Sequence, residues 1–411
     1  MANVYDVLVE RGFIYQVTDE AALREALEGP LTLYCGYDPT APSLQAGNLA
    51  TIMLLMHMQR HGHRVIVLVG GGTTLIGDPS GRATARPILS PEVIAENQES
   101  IRQQLARFLD FSGGRALMLN NADWLTQLNY IEFLREIGRH FSVNEMLAAE
   151  AYRQRLEAGL TYLEFSYRLL QAYDFLYLYR NYGCVLQVGG SDQWGNITAG
   201  VDLIRREEGA QAFGLVIPLL TTSSGVKMGK TEAGTIYLAA DRTSPYEFYQ
   251  FWINTEDADV ARFLAIFTLL PMEEVRRLGS LTGADLRLAK EVLAFEVTRL
   301  VHGERAAEEA RAASQVLFGE GRPVGRAVEA IPTTEVPLAR LEAGIPIVEL
   351  FAETGLTRSR SEARRLVEQG GVYVNDERID DVDAVITAEA LRDHTIFLRA
   401  GKKRYHRVVA V

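Results

Sequence analysis

Residues 31–49 read LTLYCGYDPTAPSLQAGNL. The β-branched and aromatic run at the start stops in Cys35-Gly36-Tyr37-Asp38-Pro39-Thr40, because Pro39 cannot continue a strand. From Gly47-Asn48 onward, Leu49, Ile52, Met53 and Met56 recur at helical spacing. Strand, tight turn and helix N-terminus in succession make an anion-binding layout. The free N–H groups and the positive end of the helix dipole face whatever lies over the strand's carboxyl end, and Gly47 lets a ligand approach the backbone closely. A nucleotide phosphate fits that layout.

Outward from this unit, residues 64–69 (RVIVLV) form a continuous apolar run followed by GGGTTLIGDPSGR. Residues 115–119 precede Asn120-Asn121-Ala122-Asp123-Trp124, residues 184–188 precede GGSDQWGN, and residues 215–220 form a fifth run. Runs that end in Gly, Asn or Asp clusters and alternate with helical patterns predict a doubly wound, Rossmann-like parallel α/β sheet with its sites at the strands' carboxyl ends. Residues 1–30 read as helices over 4–11 and 20–28, and residues 124–182 as an aromatic-rich helical insertion. The expected organisation is a catalytic domain over 1–220, a lysine loop and α-helical domain over 221–318, a Gly- and Pro-bearing linker over 319–344, and a small α+β domain over 345–411.

With 411 residues, 47% hydrophobic and 23% charged, the chain can bury more than one core. No apolar run is long enough to span a bilayer, and the N-terminus lacks a basic stretch followed by an apolar block, so a cytoplasmic protein without membrane contact is expected. Cys35 and Cys184 supply neither a disulfide framework nor a metal cluster, and no protein-bound metal is expected. A net charge of -11 opposes indiscriminate nucleic-acid binding. Residues 345–411, however, hold 11 basic and 11 acidic residues and are neutral, with basics clustered at Arg358, Arg360, Arg364, Arg365 and at Lys402, Lys403, Arg404, Arg407. Local RNA contact is therefore expected there.

Two common phosphate motifs fail. Gly36-Tyr37-Asp38-Pro39 does not supply the dinucleotide fingerprint, and Ser224 stands where a P-loop ending in Gly229-Lys230-Thr231 needs its first glycine. What remains is a second Gly-flanked loop, Gly225-Val226-Lys227-Met228-Gly229-Lys230-Thr231, with two lysines three apart. Farther inside, Tyr167, Gln171 and Asp174 are spaced by four and three, which puts a hydroxyl, an amide and a carboxylate on one face of an apolar helix.

These stretches together resemble the class I aminoacyl-tRNA synthetases, and within them the bacterial tyrosyl family. The first family signature, His-x-Gly-His, falls on Gln45-Ala46-Gly47-Asn48, both histidines being replaced, and the second, Lys-Met-Ser-Lys-Ser, on Lys227-Met228-Gly229-Lys230-Thr231. YCGYDPTAPSL, TLIGDPSG, LQAYDFL, QVGGSDQWGNITAG and SPYEFYQFWINT are each similar to tyrosyl counterparts, so the resemblance covers essentially the whole chain. It implies charging of tRNA(Tyr) with L-tyrosine through an adenylate made from ATP, with Mg²⁺ arriving on the ATP. By resemblance Tyr34 and Asp174 take the phenol hydroxyl. Tyr167, Gln171 and Asp78 hold the ammonium, and Asp38, Gln187 and Gln193 complete the tyrosine site. Thr40, Gln45, Asn48, Lys227 and Lys230 surround the pyrophosphate. Gly36, Gly47, Gly190, Asp192 and Thr231 also meet the nucleotide, with Arg82 and Arg86 as further basic groups near the phosphates. Arg205 and Arg206 are expected at the acceptor stem. TRSRSEARRLVEQGGVYVND is similar to the RNA-binding module named after the fourth small-subunit ribosomal protein, which assigns Arg358, Arg364, Arg365, Lys402 and Lys403 to RNA. A homodimer through helices around residues 131–146 is likewise implied.

Each feature taken singly has a plainer reading. Gln45 to Asn48 can be a helix cap, the lysines a solvated turn, the 167–174 row a satisfied polar seam, and Arg205-Arg206 a solvated face. The rival functions are the tryptophanyl enzyme of the same class and an RNA-binding paralogue with a decayed site.

Overall fold

The computed structural model describes residues 3–80, 89–148, 152, 156, 159–231, 234–318, 331–392, 394–401 and 404–411. A six-stranded sheet, in the order β1-β6-β5-β2-β3-β4, carries the N-terminal unit. Its strands are β1 (Gln16–Val17), β2 (Thr32–Tyr37), β3 (Arg64–Val69), β4 (Ala116–Asn120), β5 (Cys184–Gly190) and β6 (Phe213–Ile217). All neighbours are parallel except β1, which runs antiparallel to β6. β3 is buried along nearly its whole length, as a strand covered on both faces must be. The order turns over between β2 and β5, so the crevice of this doubly wound sheet opens at their carboxyl ends.

Three details differ from the sequence reading. The fifth run pairs over Phe213–Ile217 rather than 215–220, because Pro218 ends it. β1 falls between the two N-terminal helices, where the sequence reading names no strand, and is only two residues held by β6. The helix after Gly47-Asn48 begins as a 3-10 turn, Ala46–Asn48, and becomes α-helical over Leu49–Arg60.

Most described residues of the insertion are helical. It culminates in Tyr162–Tyr182, opened by a Thr161/Glu164 capping box and closed by Gly183 at φ +63°. This helix lies close against Trp194–Glu208, where a Cβ at Gly200 would stand 2.9 Å from the Phe175 ring.

The domain boundaries need correction. The helices over 244–318 do not form a body of their own. Met1–Arg242 with Thr255–Ala289 make one compact unit, which therefore includes the lysine loop, and Thr243–Asn254 with Lys290–Val411 make the other. Nor does the linker reach 344. Thr333–Val336 pairs in parallel with Arg404–Ala410, and Leu341 is buried in the C-terminal core. Alternating side chains on an edge strand leave little hydrophobic signal, which is why the segment reads as linker. The C-terminal five-stranded sheet covers the helices Ile347–Glu353 and Arg360–Glu368, and within the module-like stretch a basic helix, a glycine turn and a strand run over Arg360–Glu368, Gly370 and Val372–Val374.

Candidate active site

A cavity of about 400 Å³ opens at the carboxyl ends of β2 and β5, and most of the expected site residues line it. Tyr34, Asp174, Tyr167 and Gln187 lie at its buried end, Asp78, Gln171 and Gln193 along one wall, and Thr40, Gln45, Asn48, Lys227 and Lys230 at its mouth with Gly190 and Asp192. Gly36, Gly47 and Asp38 complete the lining from the β2 turn. Thr231 lies on the short strand Lys230–Thr231, paired with Gly234–Thr235. Arg82, Arg86, Lys402 and Lys403 fall outside the described residues.

The buried end is a hydrogen-bonded chain. Tyr167 Oη donates to Asp38 Oδ2 (3.0 Å), and Thr73 Oγ1 donates to Asp38 Oδ1 (2.9 Å). Asn121 Nδ2 then donates to Thr73 Oγ1 (3.0 Å) and to Asp174 Oδ2 (2.8 Å), while Trp124 Nε1 donates to Asp174 Oδ1 (2.7 Å). Asn121 Oδ1 takes the Gly72 N–H at 2.8 Å, so its whole amide is committed. Trp124 lies flat on Tyr177, ring centroids 4.2 Å apart. Burial pushes the Asp174 carboxyl up to about 7, against the lowering effect of its Asn121 and Trp124 donors. Tyr34 Oη and Gln187 Oε1 are buried in the same cavity and meet no partner among the described residues. A buried hydroxyl and a buried amide oxygen left over beside a satisfied carboxylate suit a ligand with a hydrogen-bonding tip.

The polar wall is paired too. Gln193 Nε2 donates to Asp78 Oδ2 (2.8 Å), the Ser80 N–H donates to Asp78 Oδ1 (2.9 Å), and Asn196 Nδ2 donates to Gln171 Oε1 (3.0 Å). Gly70 is required here, since a Cβ would collide with the Asp38 carboxylate and the Thr73 hydroxyl.

At the mouth, Gln45 and Asn48 act as a cap: Asn48 Oδ1 accepts the Gln45 backbone N–H at 2.9 Å. Both still face the cavity. The Lys227 side chain makes no hydrogen bond or ion pair among the described residues, and Lys230 Nζ donates to Thr235 Oγ1 (2.9 Å). The two glycines of the signatures touch, with Gly47 N 3.1 Å from where a Cβ of Gly229 would stand. The Ala46 N–H donates to Ile236 O (2.9 Å) and the Ile236 N–H to Gly229 O (2.9 Å), which stitches the two loops side by side.

Behind the β2 turn, the helix Pro91–Leu105 holds the loop backbone. Asn97 Nδ2 donates to Pro39 O (3.0 Å), Ser100 Oγ to Pro42 O (2.6 Å), and Gln104 Oε1 accepts the Leu44 N–H (3.1 Å).

A family profile described as tRNA synthetases class I (W and Y) matches residues 25–319, and one described as Tyrosine--tRNA ligase SYY-like C-terminal domain matches residues 326–408. The chain is 55% identical to the tyrosine--tRNA ligase of Desulfosudis oleivorans and 56% identical to that of Syntrophus aciditrophicus, covering 99% and 98% of both partners respectively. The chain belongs to the tyrosyl class I aminoacyl-tRNA synthetases. Among solved structures, a C-terminally truncated mitochondrial tyrosyl-tRNA synthetase of Aspergillus nidulans superposes on this synthetase with a TM-score of 0.70 at 31% identity, covering 77% of this chain and 95% of that one.

The sequence reading of this synthetase missed Thr73, Asn121, Trp124 and Asn196. Asn121 and Trp124 were visible as part of a cluster after β4, but nothing local said that they point at Asp174, 50 and more residues away. Arg205 and Arg206 are not brought to the cavity. Both pair with Asp202, at 2.6 and 2.9 Å, on the outer end of their helix. Arg358, Arg364 and Arg365 are exposed on or beside the Arg360–Glu368 helix.

Proposed function

We propose that this tyrosine--tRNA ligase joins L-tyrosine to ATP as tyrosyl-adenylate in the cavity and then transfers tyrosine to the 3′ end of tRNA(Tyr), releasing AMP and diphosphate. The observation that carries the assignment is the buried end of the cavity, where the unpartnered Tyr34 hydroxyl stands beside the doubly hydrogen-bonded Asp174 carboxylate. A phenol placed there donates to Asp174 and accepts from Tyr34. Phenylalanine would leave both unpaired, and tyrosyl enzymes are the standing example of that rejection. Tyr167, Gln171 and Asp78 then receive the ammonium, with Asp38, Gln187 and Gln193 around it.

The tyrosine carboxylate attacks the α-phosphate in line, so the protein's task is positioning and charge stabilisation. The Gly47 helix start, Thr40, Gln45, Asn48, Lys227 and Lys230 surround the departing pyrophosphate, with Mg²⁺ entering as part of the ATP substrate. Gly36, Gly190 and Asp192 lie beside the nucleotide, and Thr231 meets its phosphate end; Arg82 and Arg86, outside the described residues, are assigned to the phosphates by the family resemblance alone. Arg205, Arg206 and the basic C-terminal helix meet tRNA phosphates, adding salt-dependent affinity more than sequence choice. A homodimer completes the proposal: Ile131 and Val143 are exposed at 68% and 57% on the insertion helices, an apolar face that suits a second copy. The cytoplasm, where the buried thiols Cys35 and Cys184 would stay reduced, is the proposed location.

Tyrosine-dependent exchange of pyrophosphate into ATP by the purified protein is the test. Exchange with tyrosine but not with phenylalanine or tryptophan is expected, and no exchange with tyrosine overturns the reading.

A further inference from the structure

The lysine loop is a hairpin whose tip is fastened to a neighbouring turn. The Thr222 N–H donates to Val226 O and the Met228 N–H to Leu220 O, both at 2.8 Å, and Gly225 turns the tip at φ +85°. At that tip, Ser223 Oγ donates to Glu256 Oε2 (2.5 Å) and Ser224 Oγ to Glu256 Oε1 (2.6 Å), so both oxygens of one carboxylate are engaged. The Ser223 N–H donates to Asp259 Oδ2 (2.7 Å). Asp259 Oδ1 accepts from Arg262 (2.7 Å), and the same guanidinium reaches the Thr221 carbonyl at the hairpin's base. Asp259 is buried, so its charge is matched by Arg262 and the backbone rather than by water.

Lys227 lies three residues beyond this fastened tip. Its own side chain is not held by any described residue, so the hairpin backbone alone decides where its ammonium starts from. At the other end of the hairpin, Gly229 rests on Gly47. The loop is thus tied at two points, one on the signature helix and one on Glu256, Asp259 and Arg262.

We propose that Glu256, seconded by Asp259 and Arg262, is a positioning residue for adenylate formation: it holds the hairpin tip so that Lys227 and Lys230 stand over the phosphate end of the cavity. The proposal rests on the phosphate role given to the two lysines above. Charge on the transferring phosphoryl group and the pyrophosphate develops only in the transition state, so loosening the tip should lower the rate and spare tyrosine binding at the far end. Glu256 is exposed and adds nothing to a core, so its removal should leave the fold in place.

The test compares the full chain with Glu256→Ala, with the Ser223→Ala/Ser224→Ala pair, with all three changes combined, and with Glu256→Gln. Pyrophosphate exchange, tyrosine dissociation constant and melting temperature are measured for each. Glu256→Ala should lower kcat by about ten- to 150-fold, the range of a hydrogen bond to a charged group, with tyrosine affinity unchanged. The serine pair should show a similar loss, and the combined variant no further loss, because all act through one contact. Glu256→Gln, whose amide can meet both hydroxyls, should keep most of the rate. Parental kcat in Glu256→Ala, an equal loss of tyrosine affinity, or losses that multiply would each overturn the positioning role. A parent that exchanges beside an unaffected Glu256→Ala overturns this proposal alone, whereas a parent without tyrosine-dependent exchange overturns the proposed function as well.

Discussion

Asp174 shows how one carboxylate depends on residues that no local pattern connects. Its two oxygens are held by Asn121 and Trp124, and only the remaining lone pairs face the cavity. Asp174→Ala should therefore do two things. The partner of the phenol is lost, so kcat/KM for tyrosine falls steeply and discrimination from phenylalanine disappears. The Asn121 amide and the Trp124 N–H are also orphaned, at about 1–3 kcal/mol each, so the melting temperature drops without loss of the fold. Exchange kinetics with both amino acids and a thermal melt check this, and unchanged discrimination would refute the assignment. At the cavity mouth, Asn48 serves as both cap and candidate donor. Asn48→Ala should lower stability by about 0.5–2 kcal/mol as a lost cap and kcat by about two- to tenfold as a lost neutral hydrogen bond. Gln45 contributes its backbone N–H to the cap, so Gln45→Ala should lower kcat with little change in melting temperature. If both variants form adenylate at the parental rate, the two positions are caps alone.

Two glycines decide how the signature loops meet. Gly229 sits at φ +81° with the Gly47 N–H facing it, and Gly47 in turn would place a Cβ 3.2 Å from Met228 O. Gly229→Ala pays for a left-handed backbone, about 1–2 kcal/mol, and pushes the hairpin off the helix start. The expected result is a fall of about five- to thirtyfold in exchange rate if that energy is lost from lysine placement. Tyrosine affinity should not change, because Tyr34 and Asp174 lie at the opposite end of the cavity. Stopped-flow adenylate formation with a separate tyrosine titration distinguishes this from global damage. The helix Pro91–Leu105 plays a comparable part on the other side, where Asn97, Ser100 and Gln104 share the face that grips residues 39–44.

Among the described residues, three buried histidines stay neutral. Burial pushes His57 down to about 3, with Arg11 adding to the effect, and His63 and His406 down to about 4. Their folded values lie below the ordinary 6.5, so the unfolded chain takes up protons first, and stability present above pH 6.5 is lost as pH falls from there toward 4. Asp174 opposes this in part: its raised value favours the folded state as pH drops from about 7. A net fall in melting temperature of more than about 2 °C between pH 7 and pH 5 is expected, flattened in His57→Leu. A curve that is flat in the parent would contradict the buried neutral state. The C-terminal part offers a second prediction. Ile331 packs in one cluster with Tyr246 and Ala313, with Phe397 and Tyr405 against it, so a truncation at residue 344 would leave Thr333–Val336 without its partner strand. Ending the chain at Phe318 avoids that stranded segment. It should leave pyrophosphate exchange within about twofold and weaken tRNA charging in a salt-dependent way. Loss of exchange would show that the C-terminal part supports the catalytic unit.

By itself the sequence determined the parallel sheet, the place of the crevice and the polar row at 167, 171 and 174, because apolar runs ending in Gly, Asn and Asp clusters and a helical repeat are local periodic signals, while the other expected site residues followed from the resemblance to the tyrosyl family. The order of basic helix, glycine turn and strand in the C-terminal part followed from the resemblance of TRSRSEARRLVEQGGVYVND to a known RNA-binding module. Tertiary structure alone decided what those residues bond to. That Asn121 and Trp124 serve Asp174, that Thr73 links it to Asp38, and that Glu256 holds the lysine hairpin follow from strand order and helix packing, which bring together side chains 33 to 53 residues apart. The boundaries were likewise a matter of packing: a four-residue edge strand at Thr333–Val336 has no periodicity of its own and exists because Arg404–Ala410 offers it a ladder of hydrogen bonds.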